Sequence, residues 1–227
     1  MKPKVDAFLK LVKGLLKEQY YVFSYPLASL LIKNQASQSK NHKATIVFVE
    51  CWFQKNPYHR KWSAYLEEKG FKTILISFSN MNESFEKTAE RLNDYLESMD
   101  LKDYILVGIS GGAVACLYYL NHYNRWGNIR RFISLAGPLH GTRVAWTISF
   151  TRKGRSLIPG NPFLKKLHSS IFPKDKMITV SAQEDELIPL SSSTISGVRS
   201  YILPVNGHNV FHLDYKKTYD LIAELSE

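Results

Sequence analysis

The sequence predicts an α/β domain built on a mostly parallel sheet of about six strands, with helices on both faces. Six short apolar or β-branched segments alternate along the chain with longer segments of helical periodicity. This alternation is typical of parallel sheets, because each crossover between parallel strands usually contains a helix. The chain has 227 residues, 44% of them hydrophobic, which is enough for one large domain with a substantial core.

Composition and terminating residues define the individual elements. A helix with Trp62, Tyr65 and Leu66 on its apolar side is expected to end at Gly70, a residue suited to the C′ position. A second helix, capped by Asn82, is predicted before the third strand. The strands are predicted at residues 44–51, 72–78, 104–109, 131–136, 176–182 and 200–205, and the last helix at 213–225.

Residues 1–43 are predicted to form an amphipathic segment and a linker, followed by the α/β domain at residues 44–227. The first half of this segment repeats apolar residues at helical spacing, with lysines largely opposite. Fourteen uncharged residues follow at 19–32, fewer than the roughly 20 that a transmembrane helix needs, and Pro26 would interrupt a helix. Two alternatives remain open: residues 1–33 lie in an anionic membrane interface, or they pack on the domain.

Positive charge is concentrated in two parts of the chain. The formal net charge is +10, with a net of +6 in residues 1–43 and +7 in residues 141–176. Basic patches favour anionic partners such as an acidic membrane surface, although a basic surface can also serve solubility alone. No motif indicates a nucleic-acid partner or a zinc site. Cys51 and Cys116 do not form a disulfide framework, which fits a reducing, cytoplasmic compartment.

Ser110 lies at the centre of the pattern G-x-S-x-G, formed by residues 108–112. The pattern closes a hydrophobic strand and opens an apolar helix, the context in which a tight turn exposes a nucleophilic serine above a sheet. The macrodipole and the unpaired N–H groups at the start of that helix favour developing negative charge. The alternative interpretation is a glycine-rich β–α turn in which Ser110 only caps the helix.

A nucleophilic serine needs a general base, and the base needs an acid that orients it. Asp185 and His208 follow Ser110 in the order acid then base, each just beyond its own predicted strand. They are therefore the predicted partners of Ser110. Glu184 and Glu186 are the alternatives for the acid.

The remaining histidines are assigned other roles. His212, four residues beyond His208, is interpreted as a structural residue in or near the last helix. His140 follows the fourth predicted strand and could face the site. It is interpreted either as a residue that supports the side chains of the site from behind or as part of a lid. The others are interpreted as surface or satisfied core residues: His42, His59, His122 and His168.

These motifs resemble those of the bacterial triacylglycerol lipases and related members of the α/β-hydrolase superfamily. The resemblance spans roughly residues 44–225 and rests on VGISGG, ISLAGPLHGT, IPGNPFLKKL, DELIP and NGH. It implies an α/β-hydrolase fold in which the backbone N–H of Gly111 is one oxyanion donor. It also implies that the insertion at 141–176 is a short lid or acyl-binding wall. The catalytic triad that it implies is Ser110, Asp185 and His208.

The sequence departs from this family after the first core strand. The related lipases carry His-Gly and an apolar residue there, whereas this chain has Glu50, Cys51 and Trp52. Trp52 occupies the position of the second oxyanion donor, whose N–H belongs to the backbone. Loss of such a donor costs about 3–4 kcal/mol of activation free energy. A carboxylate at Glu50 would oppose an oxyanion unless it is paired or points away.

The sequence therefore predicts a serine carboxylester hydrolase acting on acyl esters, lipids among them, through an acyl-enzyme and without a metal or organic cofactor. The 13% aromatic content and the basic insertion favour an apolar acyl chain with an anionic headgroup or membrane nearby. Two alternatives are an acyltransferase or thioesterase with the same triad, and a non-catalytic membrane- or partner-binding protein. The second alternative draws on Glu50-Cys51 and on the basic amino-terminal segment.

Overall fold

The computed structural model describes residues 42–51 and 57–227. The segment expected to contact a membrane, residues 1–33, and the expected oxyanion donor Trp52 lie outside the described residues. Within the described part of the chain, no helix has the length and apolar character needed to cross a membrane.

Six strands form one sheet in which every neighbouring pair is parallel. Their order across the sheet is β2-β1-β3-β4-β5-β6. The strands are β1 (Thr45–Glu50), β2 (Lys72–Ser77), β3 (Tyr104–Ile109), β4 (Ile129–Leu135), β5 (Met177–Glu184) and β6 (Arg199–Asn206). The predicted parallel sheet of six strands is confirmed.

Burial along the strands follows their place in the sheet. All six residues of β3, near the centre, are buried, whereas most residues of the edge strand β6 are not. A strand covered on both faces reads as a continuous apolar run, because neither face meets water. The run YILVGI therefore leads directly from the middle of the sheet to Ser110.

Eight α-helices and two 3₁₀ segments lie in the described residues. The helices are α1 (Pro57–Glu68), α2 (Phe85–Ser98), α3 (Gly111–His122), α4 (Arg152–Ser156), α5 (Pro162–Ser169), α6 (Leu190–Ser193), α7 (His208–Leu213) and α8 (Lys216–Ser226). The 3₁₀ segments are Arg143–Ile148 and Lys174–Lys176.

The helices cover both faces of the sheet, as predicted. Val47 and Val49 of β1 pack on the face that carries α2, α3 and the insertion, while Ile46 and Phe48 pack on the face that carries α1, α7 and α8. Alternate residues of a strand point to opposite faces, so each strand contributes to both apolar layers. The sheet thus has one apolar layer on each of its faces.

Two details of the helix prediction are wrong. Helix α2 is capped by Ser84, whose side chain accepts a hydrogen bond from the N–H of Lys87 (3.3 Å), and not by Asn82. The predicted last helix at residues 213–225 corresponds to α8, but the prediction lacks the short helix α7, which a turn between Leu213 and Lys216 separates from α8. Helix α7 is only six residues long, too short to be stable alone, and depends on tertiary packing that periodicity does not reveal.

The insertion between β4 and β5 is compact. The 3₁₀ segment Arg143–Ile148 and the helices α4 and α5 fold back towards the carboxyl ends of the strands, and Ala145, Leu157 and Leu164 join the core beneath α3. In sheets of this kind, the loops at the carboxyl ends of the strands carry the functional site. The insertion therefore lies beside Ser110 and also packs on the face of the sheet that carries α3.

Candidate active site

Ser110 occupies a sharp turn between β3 and α3. Its backbone has φ 51° and ψ −123°, a region that non-glycine residues rarely enter and that costs of order 1–3 kcal/mol. Its N–H donates to the carbonyl of Leu135 in β4 (2.8 Å), which ties the turn to the sheet. The Ser110 side chain makes no capping hydrogen bond to α3. The alternative interpretation of Ser110 as only a helix cap is therefore not supported.

Two glycines allow this turn to be tight. A Cβ atom on Gly112 would lie 2.0 Å from the carbonyl oxygen of Val49 at the end of β1, and one on Gly108 would lie 2.5 Å from Cα of Ala113. Neither neighbour can move, because both are backbone atoms of packed elements. The glycines of the G-x-S-x-G pattern are thus required by the close approach of helix and strand.

The structure brings Ser110, Asp185 and His208 together in one hydrogen-bonded line. Nε2 of His208 lies 3.1 Å from Oγ of Ser110, and Nδ1 of the same ring lies 2.7 Å from Oδ2 of Asp185. The side chains of His208 and Asp185 are only 6% and 3% exposed. Ser110, by contrast, is half-buried and lines a cavity. A base within hydrogen-bond reach of a hydroxyl, itself oriented by an acid, is the arrangement that activates a serine.

Asp185 is held on its other oxygen by the backbone. Its Oδ1 accepts hydrogen bonds from the N–H groups of Leu187 (2.9 Å) and Ile188 (2.7 Å). These two bonds fix the orientation of the carboxylate, since the N–H groups that donate them belong to the backbone of the loop after β5. Asp185 therefore faces His208 with its free oxygen and cannot rotate without breaking two bonds.

The two alternative acids do different things. Glu184 is exposed at the end of β5. The carboxylate of Glu186 accepts a hydrogen bond from the backbone N–H of His208 (3.2 Å), at the start of α7. Of the three acidic residues, Asp185 is the one whose carboxylate meets the His208 ring in the described contacts.

Negative charge developing near Ser110 would meet the first turn of α3. Gly111 is the first residue of that helix, and the first N–H groups of a helix have no acceptor within it. This position suits the oxyanion role expected of Gly111. The second expected donor, Trp52, lies outside the described residues, so its role stays a prediction.

Glu50 is paired and buried. Its Oε1 contacts Nδ1 of His59 in α1, and both side chains are 1% exposed. The pair lies on the sheet face that carries α1 and α8, since α1 residues and Tyr219 of α8 belong to that core. The Glu50 carboxylate is thus engaged by a histidine, which satisfies the condition under which it would not oppose an oxyanion.

The other two histidines singled out from the sequence do not touch Ser110 in the described contacts. His212 is fully buried, as expected of a structural residue, and burial lowers its pKa well below the usual value, helped by His208 and His59. Nε2 of His140 lies 3.1 Å from the carbonyl oxygen of Thr194, and its ring stacks on His168. Burial, and then His168, lower the pKa of His140.

A cavity of about 200 Å³ opens beside Ser110. Its wall is mostly apolar and comes from the insertion and from the loops after β5 and β6. The lining residues are Ser110, Pro138, Thr142, Val144, Ile148, Leu157, Leu187, Ile188, His208 and Asn209. The insertion thus forms one wall of the cavity, and its role as an acyl-binding wall or a lid stays a prediction.

Neither a reactive thiol nor a metal cluster is found among the described residues. Burial raises the pKa of Cys51 to about 12 and that of Cys116 well above its usual value, so both remain thiols at neutral pH. In residues 42–51 and 57–227, no three His, Cys, Asp or Glu side chains are grouped as metal ligands.

Sequence reasoning missed the pairing of Glu50 with His59. No local pattern links them, because they meet only when α1 packs against the end of β1. His59 lies three residues before Trp62, which places both on one side of α1, and a polar residue at such a position is the one available signal. The apolar cavity wall was likewise unmarked, since its residues are scattered over four segments.

Comparison with known structures identifies the fold. The mature lipase BlEst2 of Bacillus licheniformis is 14% identical, with a TM-score of 0.67 over 85% of this chain and 97% of that one. A monoacylglycerol lipase of Paleococcus ferrophilus is 10% identical (TM-score 0.62; 86% and 98% covered). The esterase EaEST of Exiguobacterium antarcticum is 13% identical (TM-score 0.59; 85% and 94% covered).

Sequence comparisons add nothing to this assignment: no model of a known family matches the chain, and no curated protein sequence matches it. The structural similarity establishes that the chain has the α/β-hydrolase fold, as its motifs implied. What the site does is a separate question, because one fold supports many activities.

Proposed function

We propose that this protein is a serine carboxylester hydrolase that acts through an acyl-enzyme. The observation that carries the proposal is the hydrogen-bonded line from Asp185 through His208 to Ser110. Such a line provides a nucleophile, a base and an orienting acid in one geometry. The lipase and esterase structures with the same fold are consistent with ester substrates.

The proposed reaction has two halves, acylation and deacylation, and in each of them His208 acts first as a base and then as an acid. Oγ of Ser110 attacks the ester carbonyl while Nε2 of His208 takes its proton, and the imidazolium is stabilised by Asp185. The N–H of Gly111, with that of Trp52, holds the oxyanion. His208 then returns the proton to the departing alcohol. Water then attacks the acyl carbon while His208 takes one of its protons; the bond between that carbon and Oγ of Ser110 breaks, His208 returns the proton to Oγ, and the carboxylic acid leaves.

Labelling with a fluorophosphonate tests this proposal directly. The reagent phosphonylates a serine oxygen with loss of fluoride, and its rate depends on an adjacent working base. We expect one adduct per chain in the intact mass spectrum, with Ser110 identified by peptide mapping. A folded protein that forms no adduct, with or without detergent, would contradict the proposal and favour a non-catalytic role.

The cavity indicates an acyl chain of short to medium length. If a methylene group takes about the room of a water molecule in the liquid, roughly 30 Å³, about 200 Å³ holds roughly six or seven of them. Each buried methylene contributes about 0.8 kcal/mol, or about fourfold in kcat/KM. We therefore propose esters of roughly six to eight acyl carbons as the best substrates.

Enlarging a wall residue should shift this preference. Ile148 lines the cavity and is half-buried, so Ile148→Trp fills part of the volume without disturbing the sheet. We expect the optimum in a p-nitrophenyl ester series to move to chains two or three carbons shorter. Octanoate should lose about 15- to 60-fold in kcat/KM, since two or three methylenes are displaced at about 0.8 kcal/mol each.

Ile171 provides the matched control, because it belongs to the same insertion and is fully exposed. Ile171→Trp should leave the chain-length profile unchanged. A profile that rises steadily to hexadecanoate in the unmodified protein, or that does not respond to Ile148→Trp, would reject this cavity as the acyl site.

We also propose peripheral binding to anionic membranes through residues 1–33. Support comes from the lysines of that segment and from the insertion, which has no acidic residue between Gly141 and Lys174. The insertion also exposes Trp146 (63%) and Phe150 (78%). Aromatic side chains of this kind favour a lipid–water interface, and each nearby lysine or arginine adds about 1 kcal/mol on an anionic surface.

Deletion of residues 1–33 should abolish sedimentation with vesicles containing phosphatidylglycerol. The full chain should bind these vesicles more strongly than pure phosphatidylcholine vesicles, and added salt should weaken the binding by screening the charges. Circular dichroism of the shortened protein controls for folding. Undiminished sedimentation of a folded, shortened protein would reject the role of this segment.

A further inference from the structure

A second row of buried ionisable side chains lies behind the proposed base. It begins at Glu50, whose carboxylate contacts Nδ1 of His59. Nε2 of His59 lies 3.4 Å from Nδ1 of His212, and the two rings are stacked with centroids 5.6 Å apart. The His212 ring in turn meets the His208 ring edge-on, with centroids 5.0 Å apart and an angle of 75°.

This row is built from three separate elements. Glu50 ends β1, His59 lies in α1, and His212 lies one turn after His208 in α7. All three side chains are at most 1% exposed. Burying a polar group costs free energy that must be offset, so three ionisable side chains buried in a row beside the base call for a functional explanation.

We propose that His212 is a positioning residue for His208, and that Glu50 acts on it through His59. The inference rests on the proposed function, since it assigns a role beside the same base. Glu50 fixes the His59 ring, the hydrogen bond between the two histidines fixes the rotation of the His212 ring, and the edge of that ring confines His208. The confined imidazole keeps Nε2 towards Ser110.

The helix that carries both histidines is anchored from the same side. The hydroxyl of Tyr219 donates to the carbonyl of His212 (2.5 Å), and Nε1 of Trp62 donates to the carbonyl of Leu213 (2.8 Å). The backbone of α7 is therefore held by α1 and α8. These hydrogen bonds fix the backbone of α7 but not the rotation of the His208 side chain. His212 contacts the His208 ring directly.

The neutral state of His212 is part of its proposed role beside His208. Burial, His208 and His59 hold the pKa of His212 well below its usual value. His208 becomes a cation when it takes the proton of Ser110, and a second cation next to it would oppose that step. An imidazole that stays neutral can pack against His208 in both of its charge states.

A double-mutant cycle between Glu50 and His212 tests the proposal, with the fluorophosphonate labelling rate and kcat as readouts. His212→Phe keeps an aromatic ring but cannot form a hydrogen bond with His59. Glu50→Gln replaces the carboxylate that contacts His59 by a neutral amide. We expect each to lower both readouts about tenfold, because displacing a catalytic group by about 1 Å can cost up to 100-fold. KM should change less than twofold, since none of the three residues lines the cavity.

The decisive outcome is the double variant. If Glu50 acts through His212, Glu50→Gln should cost less than twofold in the His212→Phe background, where the connection is already broken. If Glu50 acts on catalysis independently of His212, the two effects should multiply, and if the Glu50–His59 pair only stabilises the fold, Glu50→Gln should leave kcat unchanged; either result overturns the proposal. Leu213→Val, in the same helix and buried, is the control and should lower the melting temperature without lowering the labelling rate.

A second double variant controls for misfolding. Glu50→Gln could unfold the protein by leaving His59 buried without its acid, so Glu50→Gln/His59→Gln removes both groups together and should show the same tenfold loss. Normal labelling by this folded variant would also overturn the proposal. An unmodified protein that fails to label would instead contradict the proposed function, so the two failures are distinguishable.

Discussion

Ser110→Ala should lower kcat/KM for a hexanoate ester by about 10⁵- to 10⁶-fold, leaving a folded protein without a fluorophosphonate adduct. The substitution removes the nucleophile itself, and nothing else in the described cavity wall can replace it: Thr142 donates its hydroxyl to the carbonyl of Leu187. Alanine fits the turn because it adds no atom beyond Cβ. Initial rates and intact mass measure the effect.

The control for this variant is Ser169→Ala, an exposed serine of α5. It should label and turn over at the unmodified rate. Residual activity of Ser110→Ala above one-thousandth of the unmodified value would indicate another nucleophile or a contaminating esterase. Repurification of the variant from a host that lacks the contaminant separates these two explanations.

Asp185→Asn should lower kcat by about 10⁴-fold with little change in KM. The amide oxygen can still accept the N–H groups of Leu187 and Ile188, which now bond to Oδ1. The amide NH₂ group then replaces Oδ2 and faces Nδ1 of His208. Because this group donates, Nδ1 must accept, and the proton of the ring moves to Nε2. That tautomer cannot take a proton from Ser110.

Glu186→Gln is the matched control for the acid. Glu186 accepts a hydrogen bond from the backbone N–H of His208 and not from its ring, and a glutamine oxygen can keep that bond. We expect a loss of kcat of less than tenfold. A larger loss for Glu186→Gln than for Asp185→Asn would reverse the assignment of the acid.

Much of the fold could be predicted from the sequence, and the reason is local. The apolar runs of β1 to β6 have the length of strands, and the helical segments between them have the periodicity of one buried stripe. Errors occur where local preference is weak. Helix α7 has six residues and exists because α1 and α8 hold it, and Ser84 competes with Asn82 for a cap that either residue type could form.

The candidate site was also predictable in part. The sequence marks Ser110 because its glycines are needed for a turn between a strand and a helix, and it marks Asp185 and His208 because each follows a strand. The distances between these three side chains could not be predicted from the sequence. Asp185 is separated from His208 by 23 residues and from Ser110 by more, so only the register of the parallel strands brings the three side chains within hydrogen-bond reach.

The sequence by itself therefore determined the class of sheet, the turn at Ser110 and the order of the three residues, because these depend on short-range sterics and periodicity. Tertiary structure alone decided which acid faces His208, how large the cavity is, and that Glu50 is paired with His59 and connected to His212. Those features depend on packing between elements distant in the chain. Side-chain directions and burial are set there by the neighbours that fold against a residue, and no local pattern encodes them.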